Sequence, residues 1–154
     1  MAEGTKFLPH LSEAEMLEML NTERVGRIGL NDGVQPYVVP TDFGYEDGYI
    51  YIHSPAVGKK TALALRNTHA CFEVDRYNAD VTDYRSIIIR GPISEVPDDE
   101  GKIKAMRLIG AKARASASPV WMNKTARPSM KSIKVFRIKI EEMTGVKAPE
   151  KGHP

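Results

Sequence analysis

The order of apolar and polar positions divides the chain into short elements. Ser12, followed three residues later by Glu15, has the form of a capping box. Met16, Leu17, Met19 and Leu20 add an apolar stripe, which predicts a short helix ending near Asn21. Residues 24–30 alternate as a half-buried strand does, and Asn31-Asp32-Gly33 is a hairpin turn into a second strand over 35–43. A further turn at Glu46-Asp47-Gly48 precedes Tyr49 to Ser54, whose aromatic and β-branched residues predict a third strand. Pro55 and Gly58 end it, and Lys59 to Arg66, with Ala62, Leu63 and Leu65 apolar, reads as a second helix.

Beyond Asn67, His69 to Asp75 predicts a fourth strand and Tyr84 to Val96 a long fifth one centred on Ile87, Ile88 and Ile89. Asp98 and Asp99 cap a third helix that carries Ile103, Met106, Leu108 and Ile109 and fades near Lys112. Residues 114–131 have no clear period and read as a loop long enough to be functional or mobile. Ile133 to Ile140 alternates as a last strand before a polar tail. The expectation is one domain over residues 1–154, with 1–11 and 145–154 as flexible termini. Five or six mostly hairpin-connected strands and three short helices suggest a small closed β-barrel, because closure removes exposed edges. No repeated strand–helix alternation is present, and Gly26, Gly29 and Gly33 lack the spacing of a dinucleotide fingerprint.

Composition narrows the picture. In 154 residues, 42% hydrophobic and 27% charged positions are enough for a real core, which excludes wholesale disorder. No run approaches the roughly 18 apolar residues of a membrane helix, and the start of the chain lacks a secretory pattern, so the expected location is the cytoplasm. The lone Cys71 excludes an internal disulfide and a multi-thiolate zinc site, and is expected to be buried and inert. A net charge of +2 hides an asymmetry: residues 1–101 carry 9 Lys and Arg against 17 Asp and Glu, residues 102–154 carry 13 against 3. The basic part either packs against the acidic part or a partner, or attracts a phosphorylated ligand. Nucleic acid is not the expected partner, since Trp121 is the only aromatic in the basic loop and single strands need stacking platforms.

No nucleophile elbow, HExxH motif or carboxylate-rich loop occurs, so no metal site is expected and no catalytic residue is identified; His53 and His69 are the plausible acid–base groups. The most informative stretch is Ile52-His53-Ser54-Pro55-Ala56-Val57-Gly58-Lys59-Lys60-Thr61. A strand end delivers a histidine and a hydroxyl, a glycine allows tight backbone geometry, and two lysines open a helix whose free N–H groups favour anions. Lys60 or Lys59 would hold a phosphate as a point charge, with Ser54 or Thr61 donating hydrogen bonds. The plainer reading is two solvated lysines at a helix end.

Four motifs occur in order over roughly residues 12–97: Arg24-x-Gly26-Arg27-Ile28-Gly29, Pro36-Tyr37-Val38-Val39-Pro40, Tyr51-Ile52-His53-Ser54 with Gly58-Lys59-Lys60, and Tyr84-Arg85-Ser86-Ile87-Ile88-Ile89-Arg90-Gly91. Together they resemble the pyridoxamine 5'-phosphate oxidase-like flavoproteins, most closely the 5-nitroimidazole resistance branch. The resemblance implies a mainly β split barrel with short helices, six or so mostly antiparallel strands, and a homodimer holding FMN between its subunits. It assigns Lys60, with Lys59 as second choice, to the phosphate, and His53 and Ser54 to the phosphate and ribityl chain. Val38, Val39, Pro40, Thr41 and Asp42 would run along the flavin ring, and Tyr84, Arg85 and Ser86 would approach the cofactor, often from the partner subunit. Trp121 is a candidate for stacking on the ring, with no family motif behind it.

The C-terminal substrate signature of the true pyridoxamine phosphate oxidases is not found beyond residue 97, so that vitamin is not the expected substrate. The expected function is an FMN-dependent oxidoreductase reducing a small electron acceptor, a nitroaromatic being one candidate, with the cofactor supplying the hard chemistry. Related barrels hold haem or a deazaflavin, so the alternative is a non-enzymatic flavin- or haem-binding module or sensor.

Overall fold

A computed structural model describes residues 7–115 and 130–150. Helix α1 (Glu13–Thr22) is followed by strands β1 (Val25–Asn31), β2 (Pro36–Asp42), β3 (Gly44–Glu46) and β4 (Tyr49–Pro55). Helix α2 (Lys59–Arg66), strands β5 (His69–Tyr77) and β6 (Tyr84–Val96), and helix α3 (Asp99–Ala115) come next. A 3-10 turn (Met130–Ser132) then leads into strands β7 (Ile133–Lys139) and β8 (Glu142–Lys147). The strands form one antiparallel sheet in the order β2-β1-β5-β6-β7-β4-β3, with β8 pairing on β6. This is the split-barrel type that the sequence resemblance implies. No described helix is long and apolar enough to cross a membrane.

Strand β6 links the two halves of the sheet. Its first part runs between β5 and β8, and its last residues, Ile93 to Val96, pair with β7. The change of partner falls at Gly91, where a Cβ would overlap the Lys139 carbonyl, so only glycine lets the two backbones approach. The inward residues of each strand fill one core. Ile28, Phe43, Ile50, Ile52, Phe72 and Ile89 are among the fully buried side chains, and Met19 and Leu20 of α1 close one end. Phe43 and Phe72 meet edge to face with ring centroids 5.1 Å apart, a favoured aromatic arrangement. A smaller cluster of Tyr51, Val96, Ala105, Ile133 and Val135 packs beneath α3.

The predicted capping box is present: the Glu15 N–H donates to Ser12 Oγ at 3.1 Å and the Ser12 N–H to Glu15 Oε1 at 3.0 Å. The structure corrects the pattern in three places. Residues 44–46 form an extra short strand, because after Phe43 the chain turns to pair with β4. The tail expected after the last predicted strand begins with β8, whose polar sequence hides its role as a partner of β6. Its Gly145 lies against Leu11 and Met16, and Leu11 donates to the Gly145 carbonyl at 2.9 Å, while Lys147 donates to that of Pro9 at 3.0 Å. Residues 9–11 and 145–147, which the pattern alone puts in flexible termini, therefore tie each other down. Finally, α3 runs past Lys112 to Ala115, taking up the start of the expected loop. Trp121 lies outside the described residues.

Candidate functional site

Among the described residues strand β2 has one neighbour, β1, and the bonds that flank their ladder fix which groups it leaves over. Phe43 donates to the Arg24 carbonyl at 3.3 Å, and Asp32 donates to the Gln35 carbonyl at 3.0 Å. In the register Val25↔Asp42 through Asn31↔Pro36, antiparallel pairs alternate between bonded and non-bonded. The odd-numbered residues of β2 thus bond to β1, and Pro36, Val38, Pro40 and Asp42 direct their backbone groups to the open edge. Both prolines occupy outward positions, where a strand loses nothing by lacking an N–H. Between residues 36 and 41, Val38 contributes the single outward N–H, flanked by a row of outward carbonyls. Val38 is 66% exposed, whereas Tyr37 and Val39 pack against the core and Thr41 is buried.

The end of this edge meets β4. Asp42 Oδ1 lies 3.0 Å from His53 Nε2, a side-chain latch between strands that share no ladder. Lys60, one turn into the corner after β4, donates to the His53 carbonyl at 3.2 Å. Burial pushes the Lys60 ammonium below its ordinary value, against the pull of the Asp42 charge. For Asp42, burial pulls upward, but the hydrogen bond and charge of His53, helped by Lys60, hold the carboxyl below the ordinary aspartate value. A half-buried ammonium whose described side-chain bond is to a neutral carbonyl gains strongly from an anion placed beside it.

The start of α2 completes the corner. Gly58, at φ 152°, is its N-cap and offers no side-chain cap, so the first N–H groups of the helix lack one; the helix dipole adds a partial positive charge there. A Cβ built on Gly58 meets nothing within 4 Å among the described residues, which leave the approach open. Lys59 is exposed, with Nζ 5.1 Å from the centre of the Tyr37 ring.

Ser54 and Thr61 have a different place from the one expected. Both are buried, at 1% and 2% exposure. Thr61 Oγ1 donates to the Pro55 carbonyl at 2.5 Å and lies 2.5 Å from Ser54 Oγ. Since the carbonyl can only accept, Thr61 spends its proton there and Ser54 donates to Thr61. Neither proton faces outward; the pair pins the strand end to the helix and so fixes where Lys59 and Lys60 stand.

The structure brings Asp42, His53 and Lys60 together at one corner, with Lys59 beside Tyr37 and with Val38 and Pro40 on the open edge that leads to it. It does not bring Tyr84, Arg85 and Ser86 there. They sit on β6, with β1 and β5 between them and β2, and Arg85 pairs with Glu15 at 3.3 Å. Lys112, over which the sequence reading passes as the fading end of a helix, has its ammonium 3.5 Å from the centre of the Phe43 ring, next to Asp42 in sequence. A lysine continuing the apolar stripe of α3 at Leu108 and Ile109 is the signal that could have found it.

Two other polar features lie apart from the corner. A cavity of about 550 Å³ is lined by His69, Cys71, Arg90, Glu141 and Glu142. Burial pushes its Cys71 thiol up, away from the thiolate form that reacts. On the sheet face, Arg27 bridges Glu73 and Asp75 at 3.4 and 2.9 Å. Burial and the neighbouring Asp75 push Glu73 up to about 7 despite the arginine.

With this geometry in hand, comparison with known proteins places the chain. The family model described as pyridoxamine 5'-phosphate oxidase matches residues 12–147. A search of curated proteins found no match. Among solved structures, a FAD-binding protein from Mesorhizobium loti is 27% identical with a TM-score of 0.71, over 93% of this chain and 99% of that one. A Bacteroides thetaiotaomicron protein assigned to 5-nitroimidazole antibiotic resistance is 21% identical, with a TM-score of 0.67 over 97% and 99% of the two chains. A FAD-binding protein from Mycobacterium smegmatis is 19% identical, with a TM-score of 0.67 over 92% and 98%. The likeness runs through both halves of the sheet and the corner between β2, β4 and α2, and the chain belongs to the pyridoxamine 5'-phosphate oxidase-like family.

Proposed function

We propose that this chain is a cytoplasmic FMN-binding oxidoreductase that reduces a small acceptor, a nitroaromatic among the candidates. The observation that carries the reading is Lys60: a half-buried ammonium beside an uncapped helix start, opening next to the outward edge of β2. Lys60 is the residue to hold a terminal phosphate, with Lys59 adding charge from the exposed side. The outward N–H of Val38 and the carbonyls of Pro36, Val38 and Pro40 suit the mixed donor and acceptor edge of a flavin ring, and the Asp42–His53 latch sets where that edge ends. The bound flavin would carry two electrons from a reduced nicotinamide to the acceptor, which accounts for a site without a nucleophile. The protein's own residues bind and orient; none is required to make or break a covalent bond.

Tyr84, Arg85 and Ser86 reach such a cofactor only from a second copy of the chain, so the reading includes a homodimer with the cofactor at the subunit boundary. A relative 27% identical to this chain is described as FAD-binding, and FAD is therefore the competing ligand. A monoester that ends at one ammonium and one helix start favours FMN. The test is the absorbance spectrum of the purified protein before and after FMN, FAD, deazaflavin or haem is added, followed by turnover of a reduced nicotinamide with a nitroimidazole. Flavin bands with FMN and steady turnover support the proposal. A colourless protein that takes up no flavin overturns it, and flavin uptake without turnover leaves a carrier or sensor.

A further inference from the structure

Lys112 is a charged group whose contact among the described residues is with an aromatic ring and not with a polar partner. Its Nζ is buried and has no hydrogen-bond partner among the described residues. The ammonium rests on the face of Phe43, 3.5 Å from the ring centre. The position is imposed by packing: Leu108 and Ile109, one turn earlier, press on Gly44, where a Cβ would overlap the Leu108 side chain. The carboxylates that act on Lys112 are Glu23 and Asp42, and both are already engaged. Arg76 Nε donates to Glu23 at 2.6 Å, and His53 lies against Asp42 at 3.0 Å. Burial lowers the amine to about 8, so the group remains mostly cationic at neutral pH. The charge of Asp42 thus acts on two ammonium groups, Lys60 and Lys112. A buried cation without a hydrogen bond costs stability, and such a group calls for an explanation, of which a redox or ligand role is one.

We propose that Lys112 is the charge-balancing residue of the site, an ammonium kept in reserve for the negative charge that a bound flavin gains on reduction. This rests on the flavin reading above. A hydride leaving a reduced nicotinamide carries two electrons and one proton, so the donor becomes one unit more positive and the ring one unit more negative. A fixed cation near Asp42 favours the ring after that transfer and is nearly indifferent before it. Lys112 is accordingly a positioning residue for charge. It makes reduced flavin bind more tightly than oxidised flavin without being needed to capture the oxidised form, which Lys60 does.

The test compares wild type, Lys112→Met and Lys112→Arg, each loaded with FMN, by the midpoint potential of the bound flavin and by the Kd of oxidised FMN. Methionine matches the lysine stem and removes an unpaired buried charge, so the variant is expected to melt no lower than wild type; Lys112→Gln is the second neutral variant should methionine not fold. The expected result is an oxidised-FMN Kd within about threefold of wild type. The preference for reduced over oxidised flavin falls about tenfold in the neutral variants, which is about 30 mV for a two-electron couple, and the arginine variant restores it. Neutral variants with the wild-type potential overturn the assignment while the flavin reading stands. Neutral variants that lose oxidised FMN together with Tm overturn it in favour of a structural role. Wild-type protein that binds no flavin overturns both readings.

Discussion

Asp42 and His53 join two strands that share no ladder: their side chains meet at 3.0 Å where the ends of β2 and β4 converge. The contact fixes the end of the open β2 edge relative to the helix start that carries Lys60. Asp42→Ala should cost about 1 kcal/mol of stability, the worth of a partly exposed charge-assisted hydrogen bond, read from the urea midpoint. The carboxyl is held below its ordinary 3.8. Its contribution is therefore present above that value and lost as pH falls through the lower folded value. The variant should accordingly show a shallower loss of stability on the acid side.

The outward N–H of Val38 is a backbone group, and proline removes it. Val38→Pro deletes that donor on an edge which already accepts Pro36 and Pro40, at a side chain 66% exposed. Flavin affinity, followed by fluorescence quenching, should drop about fivefold, the value of one net hydrogen bond, while Val38→Ala should leave it unchanged. Equal affinity in the proline variant would show that the ring does not use this edge.

Gly91 and Gly110 make opposite predictions from the same substitution. An added methyl at Gly91 overlaps the Lys139 carbonyl where β6 changes partner, and at Gly110 it meets nothing within 4 Å. Gly91→Ala should cost about 3 kcal/mol. Gly110→Ala, inside α3, should add about 1 kcal/mol through helix propensity. Denaturant unfolding curves read both.

Glu73 links stability to pH near neutrality. Burial and Asp75 raise it to about 7 from an ordinary 4.5, so the folded chain binds this proton more tightly than the unfolded one. The resulting stability is fully present below about 4.5 and is lost as pH rises through about 7. Glu73→Gln should remove that segment of the Tm-against-pH profile. An unchanged slope between pH 5 and 8 would show that the carboxyl titrates elsewhere.

Local patterns in the sequence carried far, and they stopped where partners are distant. The capping box at Ser12 and Glu15, the Asn31-Asp32-Gly33 turn and the alternation of Ile28, Leu30 and their neighbours depend on nearby residues, and each stands in the structure as read. Strand β8 was not readable, because Glu142 to Lys147 is a strand only through pairing with β6 and packing of Gly145 on Leu11 and Met16. At the site, Lys60 and His53 are two motif positions with an evident chemical purpose. Ser54 has the same look in sequence but turns inward, donating to Thr61, which itself donates to the Pro55 carbonyl. Lys112 reaches Phe43 across a sequence distance that no spacing rule spans.

The central claim is that Lys60 holds a phosphate. The most direct measurement is the Kd of FMN and of riboflavin, its dephosphorylated form, for wild type and Lys60→Met by calorimetry. The account predicts that wild type prefers FMN by about 10- to 100-fold, as a charge-assisted hydrogen bond allows, and that the preference nearly disappears in the variant while riboflavin binding is unchanged. An equal preference for FMN in both proteins, or no binding of either flavin to wild type, would contradict it.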